Sequence, residues 1–424
     1  MNRRQQIGLL LIMLCLLLTG CNGAKESDGI AYALLVGVDR DDQNQLEYTF
    51  QIAIPRGFGA GSGSSPKDAK EAVVTLAVTA NSFAEARDLA NSTVARVLTL
   101  SHVKGFIIGE KVAREGIAAT LPALPRFREY RGSMFLMVIN NGTAKEFINS
   151  NNPKLEVLPS RYIETMMGSA KESSTFLATN IHEYFVRLKS SSASPYVTLA
   201  ANNPGNKEQQ GHPSSQPKAL DRTNAYIAGE SERDLVTNPA EFLGVAVFKG
   251  DKMVGILNNK QTRGLAIVEG KFGHGFFVVA DPAVPKKAIN LDLEEGRKPR
   301  ITVELIDGRA RISIDVFMEA EITAIGSDIN YEGDGYRQQL EQEVSKVIQK
   351  DIQDMLAVTQ PLGSDIAGLG YYLRPKLGSY QELLQLDWPE LYRNAEISVK
   401  VVTKVRRTGL MIKTSPVNPK KREE

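Results

Sequence analysis

Gly105-Phe106-Ile107-Ile108-Gly109, followed without a break by Glu110-Lys111-Val112-Ala113-Arg114-Glu115-Gly116, sets the fold class of this chain. Five residues without a charge read as a strand buried on both faces, and the charged segment after them reads as a short helix closed by glycine. A strand that passes directly into a helix belongs to a mixed architecture, and the alternation continues outward in both directions. Upstream lie strand runs at Ala31–Val38 and Leu46–Ile54, joined across an Asp/Asn cluster as a hairpin, then a strand at Val73–Thr79 and a helix from Ser82 to about Leu98. Ser82 and Glu85 have capping-box spacing, and Phe83, Ala86, Leu89, Ala90, Val94 and Val97 fall on one helical face. Downstream come a strand at Met134–Asn140, a helix at Thr143–Asn149 and a longer helical pattern over Ser174–Leu188 whose aromatic residues belong to a core.

Between Ser190 and Ala219 the composition shifts to Ser, Asn, Gln, Pro and Gly, so residues 190–225 are expected to form a polar linker. It separates an N-terminal α+β region, 30–189, with room for two subdomains, from a C-terminal α+β domain, 226–412. In the latter, Phe242–Phe248, Met253–Leu257, Leu265–Val268, Phe276–Ala280, Ile301–Ile306 and Arg309–Ile325 read as strands. A long amphipathic helix is expected over Tyr336–Leu356, where Leu340, Val344, Val347, Ile348, Met355 and Leu356 make an apolar stripe. Helical signals at Ile366–Leu373 and Tyr380–Tyr392 and a strand at Ala395–Val405 follow, and residues 413–424 read as a disordered tail. The expected class is α+β, multi-domain, with mixed and antiparallel sheets and packed helices.

The 424 residues include 51 Lys+Arg and 49 Asp+Glu, a formal net charge of +2, with 42% hydrophobic residues. That balance gives no basic face for nucleic acid and excludes a disordered chain. The start of the chain accounts for the excess. Arg3 and Arg4 precede an apolar run from Ile7 to Leu18, too short to span a membrane and of the length of a signal-peptide core. Leu18-Thr19-Gly20-Cys21 then resembles the bacterial lipobox, in which the cysteine thiol takes a diacylglyceryl group and the peptide is cut just before it. Residues 1–20 are thus expected to be a signal peptide, Cys21 the lipidated first residue of the mature protein, and 21–29 a tether. Cys15 leaves with the signal, which leaves no thiol for redox or zinc chemistry. Losing the two arginines reduces the 51 basic residues to 49, equal to the acidic ones, so attachment to a membrane must come from lipid.

Catalytic and metal-binding patterns are missing. His102, His182, His212 and His274 fall in no zinc spacing, and no Gly-x-Ser-x-Gly elbow occurs. The cluster Asp39–Asn44 has Asn44 and Phe50 where a calcium loop needs Gly and Glu. Gly57–Pro66 is glycine-rich but lacks the Gly-Lys-Ser/Thr ending of a phosphate loop. No cofactor or metal is expected, and no enzyme.

The chain resembles a known family. The lipobox, Leu34-Leu35-Val36-Gly37-Val38-Asp39, the stretch Ser101–Ile117, the stretch Leu243–Leu257, and the pair of late signals Asp387-Trp388 and Lys404–Gly409 are similar, in this order, to the Ger(x)C lipoproteins, the C subunits of spore germinant receptors. The resemblance implies a lipid-anchored protein on the outer face of the spore inner membrane, working with a multi-spanning A subunit and an integral-membrane B subunit and acting by protein contacts in spore germination. The segments 57–66 and 202–217 depart from it by being longer and more polar. The alternative expectation is a solute-binding lipoprotein that captures a small nutrient itself. Arg406-Arg407 and Gly105–Gly109 are the segments to watch for an interface, the first ordinarily solvated and the second ordinarily core.

Overall fold

The computed structural model describes residues 2–6, 8, 29–54, 72–118, 120, 129, 131–205, 225–233 and 238–409. Cys15, Cys21, Gly57–Pro66, His212 and residues 413–424 lie outside them. The described residues form two sheets. The larger has nine strands, β1 (Ile30–Arg40), β2 (Leu46–Ala53), β3 (Val73–Thr79), β4 (Val97–Thr99), β5 (Gly105–Gly109), β6 (Phe135–Ile139), β7 (Tyr196–Asn202), β8 (Ala240–Lys249) and β9 (Lys252–Leu257), in the order β3-β2-β1-β5-β6-β7-β8-β9 with β4 beside β1. Its centre, β1-β5-β6-β7, is parallel and its flanks are antiparallel.

The parallel centre explains the uninterrupted apolar runs, because both faces are covered. Phe106 and Ile108 join the core on one face and Ile107 joins the other; Leu136 and Val138 divide in the same way from Met137 and Ile139. Period-two alternation therefore persists inside a segment with no polar residue to reveal it. Five helices connect or flank these strands: α1 (Phe83–Thr93), α2 (Glu110–Glu115), α3 (Ala144–Ser150), α4 (Pro159–Gly168) and α5 (Ile181–Leu188). Ser82, Thr143 and Asn180 cap α1, α3 and α5, each accepting from the backbone N–H of the glutamate three residues on.

After α6 (Asn259–Val268) comes a four-stranded sheet, β10 (His274–Ala280), β11 (Ala288–Ile306), β12 (Arg309–Ile325) and β13 (Glu396–Arg407), in that order. β11 and β12 form a long hairpin whose turn, Asp307-Gly308, has φ of 51° and 75°, the positive pair that a two-residue loop needs to match strand twist. Along β12, Ala310, Ile312, Ile314, Val316, Met318, Ala320 and Ile322 all face inward. The 29-residue helix α7 (Asp334–Leu362) covers that face with Leu340, Val344, Ile348, Ile352 and Met355. Two short helices, α8 (Tyr380–Gln385) and α9 (Trp388–Arg393), lead into β13. The exposed edge of β13 is closed by side chains of α7: the Thr403 and Val405 N–H groups donate to Ser345 Oγ (2.9 Å) and Glu341 Oε1 (3.0 Å).

Several expectations need correction. Of the linker expected at 190–225, residues 196–202 form β7, buried along most of its length, and β8 and β9 beyond it join the same sheet as β1. The polar surroundings hid a strand whose own residues are apolar. Leu265–Val268 is the last turn of α6 instead of a strand: Asn258 starts that helix with a capping box to Gln261, and a four-residue apolar run has no period of its own. The helix expected from Ser174 begins only at Ile181, since Ser174 has a φ of 53° and Phe176 bridges to Gly244 on β8. The helix expected to reach Leu98 ends at Thr93, and Leu98 lies in β4. The helix α4 and the full length of β11 were not anticipated.

The crossing of α6 and α7 is tight. A Cβ on Gly264 would lie 2.7 Å from the backbone oxygen of Asp351 on α7. The Asp351 side chain is buried there, and burial pushes its carboxyl up to about 7 although Lys260 and Arg263 pull the other way. The folded protein thus holds this proton more tightly than the unfolded chain does, so stability is fullest at low pH and declines as pH rises from about 4 to about 7. Asp351→Asn should remove that decline, raising the melting temperature at pH 8 and leaving it little changed at pH 4.5, with an upper bound of about 4 kcal/mol at ~1.4 kcal/mol per tenfold change in proton affinity. Equal effects of the substitution at both pH values would refute this.

Candidate functional site

The two sheets are joined by a buried polar network. Just past the end of α7, Asp365 accepts hydrogen bonds from the N–H groups of Leu369 (3.0 Å) and Gly370 (2.9 Å) and from Trp388 Nε1 (2.9 Å). Its backbone oxygen accepts the N–H of Ser194, at the approach to β7, at 2.8 Å. Burial pushes the Asp365 carboxyl up, against the pull of these donors. Gly370 is required because the Trp388 ring lies 2.6 Å from where a Cβ would stand. From α5, Arg187 donates to the backbone oxygen of Ile366 (2.7 Å), pairs with Glu269 and lies over the ring of Tyr196, 4.8 Å from its centre. Tyr196 donates to Glu269 (2.7 Å) and accepts from Lys271 (2.8 Å). Ser364 Oγ donates to the Phe248 oxygen of β8 at 2.6 Å. These groups spend their donors and acceptors on one another and on backbone, so the network couples the sheets mechanically.

The carboxyl ends of parallel strands are where open α/β sheets hold ligands. Here that place is taken by the protein itself. Asp39, at the end of β1, accepts from the N–H groups of Ala144 (2.8 Å) and Lys145 (2.9 Å) at the start of α3. Burial pushes its carboxyl up to about 6, opposed by those two N–H groups. Asn140 donates to the Ala228 oxygen (2.9 Å) and Lys145 pairs with Glu47 (2.8 Å). A side-chain carboxylate sits where an anionic solute would dock, which weighs against solute capture at this edge.

The stretches that carry the family resemblance meet in the fold. Leu35–Val38 pairs with Gly105–Ile108, and Asp251 of the third stretch accepts the N–H groups of Ile117 and Ala118 at the end of the second, each at 3.0 Å. Gly105–Gly109 is core. Asp387 caps α9 and thereby sets Trp388 against Asp365. Arg406 and Arg407 pair with Glu319 (3.2 Å) and Glu321 (3.7 Å) on the outer face of the second sheet. The Asp/Asn cluster after β1 is a turn in which Asp41 accepts the Gln43 and Gln45 N–H groups. His102 contacts Ser101 Oγ (2.9 Å) and stands edge-on to Tyr32, while His274 lies between Glu172 (2.9 Å) and Asp292 (3.3 Å). Among the described residues no three His, Cys, Asp or Glu side chains are grouped to hold a metal ion. Arg187, Glu269 and Asp365 escaped sequence reading because they stand far apart along the chain; the sole tryptophan of the sequence, beside its capping aspartate, was the one visible signal.

Residues 23–201 match the model of the spore germination protein N-terminal domain, and residues 243–409 match the spore germination B3/GerAC-like C-terminal model. The chain is 22% identical to the putative spore germination protein YfkR of Bacillus subtilis (strain 168), covering 95% of this chain and 96% of the relative. It is also 22% identical to spore germination protein KC of the same organism, covering 97% of each. The crystal structure of the GerBC protein superimposes with a TM-score of 0.50 at 16% identity, over 88% of this chain and 96% of that one, and supports the fold. With both domain models matched in order along one chain, this protein belongs to the spore germination B3/GerAC-like family of germinant receptor subunits, and its role is in spore germination.

Proposed function

We propose that this protein is a lipid-anchored, non-enzymatic subunit of a nutrient germinant receptor, held on the outer face of the spore inner membrane by a diacylglyceryl group on Cys21. It acts through contacts with the integral-membrane A and B subunits. The observation that carries the reading is the lipobox Leu18–Cys21 placed directly ahead of a body that matches both germination domains. No helix among the described residues is long and apolar enough to cross a membrane. A body whose two sheets are bolted together by Arg187, Glu269, Asp365 and Trp388 suits a part that transmits or positions by contact.

The test is complementation of a gene deletion. The wild-type gene should restore nutrient-triggered germination, and Cys21→Ala should leave unlipidated protein in the soluble fraction with germination reduced at least about tenfold, the scale on which losing a stable membrane anchor removes local concentration. Normal germination in the deletion strain refutes the receptor role; an undiminished response in Cys21→Ala refutes the anchor. Calorimetry with amino acids and sugars tests the solute-binding alternative, which the occupied carboxyl edge disfavours.

A further inference from the structure

The two edges of the second sheet differ. β13 is closed by Ser345 and Glu341 of α7, whereas β10 at the other edge carries none of the devices that keep an edge strand from pairing. His274–Ala280 contains no Asp, Glu, Lys, Arg or Pro, and its register with β11 is unbroken. Phe276 and Val278 are each 60% exposed, while Phe277 and Val279 point into the core.

The phase of the hydrogen bonds decides which backbone groups are open. In an antiparallel pair, residues that exchange hydrogen bonds alternate with residues whose N–H and C=O point away. The Asp281 N–H donates to the Lys287 oxygen (3.0 Å), so the step after Ala280 and Ala288 is of the first kind, and counting back along the register makes Val279 and Phe277 the same. Phe276, Val278 and Ala280 therefore aim their backbone groups outward. Ala288 fits this phase, since its oxygen turns away from β10 and accepts the Gly326 N–H at 2.9 Å. Among the described residues nothing pairs with the outward row of β10. Upstream, Glu172 reaches His274 (2.9 Å), and Lys171 and Ser173 crowd Gly273 and Gly275, so the open edge runs from Phe276 to Ala280.

The ends of this edge carry opposite charge. Beside its start stand Glu172, Asp292 and Glu294; past its end the turn into β11 presents Lys286 and Lys287, both exposed. Asp281 is turned inward to Ser327 and Tyr331. An antiparallel copy of the same edge reverses the order, so the acidic end of each strand meets the lysines of the other. A parallel copy would set like charges together.

We propose that β10 pairs with β10 of a second copy of this chain about a two-fold axis through Val278, joining the two second sheets into one continuous sheet. Val278 then stands opposite the second copy's Val278, and Phe276 opposite its Ala280, each pair exchanging two main-chain hydrogen bonds. The exposed side chains of both copies gather into one apolar cluster on the outer face. The contact is isologous and uses up both open edges, so assembly stops at two. Its area is small, which sets the expected dissociation constant at about 1–100 µM, in the transient class.

The test is sedimentation of the full chain across that concentration range, with Val278→Cys under mild oxidation and Arg309→Cys, on the exposed turn of the β11–β12 hairpin, as control. Wild type should form dimers. Val278→Cys should give a 278-to-278 disulfide between two molecules, assigned by peptide mass, because directly opposed residues of this kind lie about 5.5 Å apart at Cα, within disulfide reach; Arg309→Cys should not. Val278→Lys, at a position already exposed, should leave the melting temperature unchanged and raise the dissociation constant at least about tenfold. Lys286→Glu with Lys287→Glu should raise it at low salt and much less at high salt. A folded chain that stays monomeric to about 100 µM and gives no 278-to-278 bond overturns the proposal. A dimer indifferent to Val278→Lys overturns it as well, since the copies then meet elsewhere, and so do assemblies that grow beyond two.

Discussion

Trp388→Ala is expected to lower the free energy of unfolding by about 3–5 kcal/mol, the range for removing a buried aromatic side chain from a core that cannot collapse around the void. Trp388 is almost fully buried, packs on Gly370 and Tyr392, and supplies one of the three donors to the Asp365 carboxylate. Truncation therefore opens a cavity and leaves a buried charge short of a hydrogen bond, which adds about 1–3 kcal/mol when nothing replaces the donor. Trp388→Phe keeps most of the volume and loses only the indole N–H, so it should cost less than the alanine change. Because Trp388 is the only tryptophan, unfolding should be followed by circular dichroism in urea. A loss below about 1 kcal/mol for the alanine variant, the mean effect of an arbitrary substitution, would show that the junction does not depend on this ring.

Arg187→Ala should cost about 3 kcal/mol, the lower end of the range for stripping one partner from a buried ion pair, because Glu269 keeps Lys271 at 3.4 Å. Both Arg187 and Glu269 are well buried at the junction, and the arginine also holds the backbone oxygens of Ile366 and Ser194. Replacing both charges together, Arg187→Met with Glu269→Met, should recover much of the loss, since neither buried charge is then left without the other and Lys271, which loses Glu269, is partly exposed to solvent. Beyond stability, Arg187→Ala should loosen the first sheet from the second, so that the single urea transition of the wild type becomes broader or splits in two. A double variant as unstable as Arg187→Ala alone would show that the arginine acts through its backbone contacts and not through Glu269.

Local signals were legible where one segment carried its own code. The cap at Ser82, the alternation of β12 from Arg309 to Ile325 and the apolar stripe of α7 each appear within a dozen or so residues, and the structure places them where the pattern does. The errors share a cause. Leu265–Val268 and Phe176-Leu177 are short apolar runs whose state depends on what they pack against, and β7 is a strand because β6 and β8 flank it. Pairing partners far away along the chain leave no trace in the window being read.

The same division holds for function. Strand and helix runs written in consecutive residues let the α+β class be read directly, and spaced motifs carried the resemblance to the family; Leu18–Cys21 is likewise a local pattern, and the lipid anchor proposed from it awaits the Cys21→Ala test. The arrangement of Arg187, Glu269, Asp365 and Trp388 into one junction and the filling of the parallel strands' carboxyl edge by Asp39 arise only on folding. Burial, hydrogen-bond geometry and strand register are relations between residues up to about two hundred positions apart, and they acquire values only when the chain brings those residues within a few ångströms.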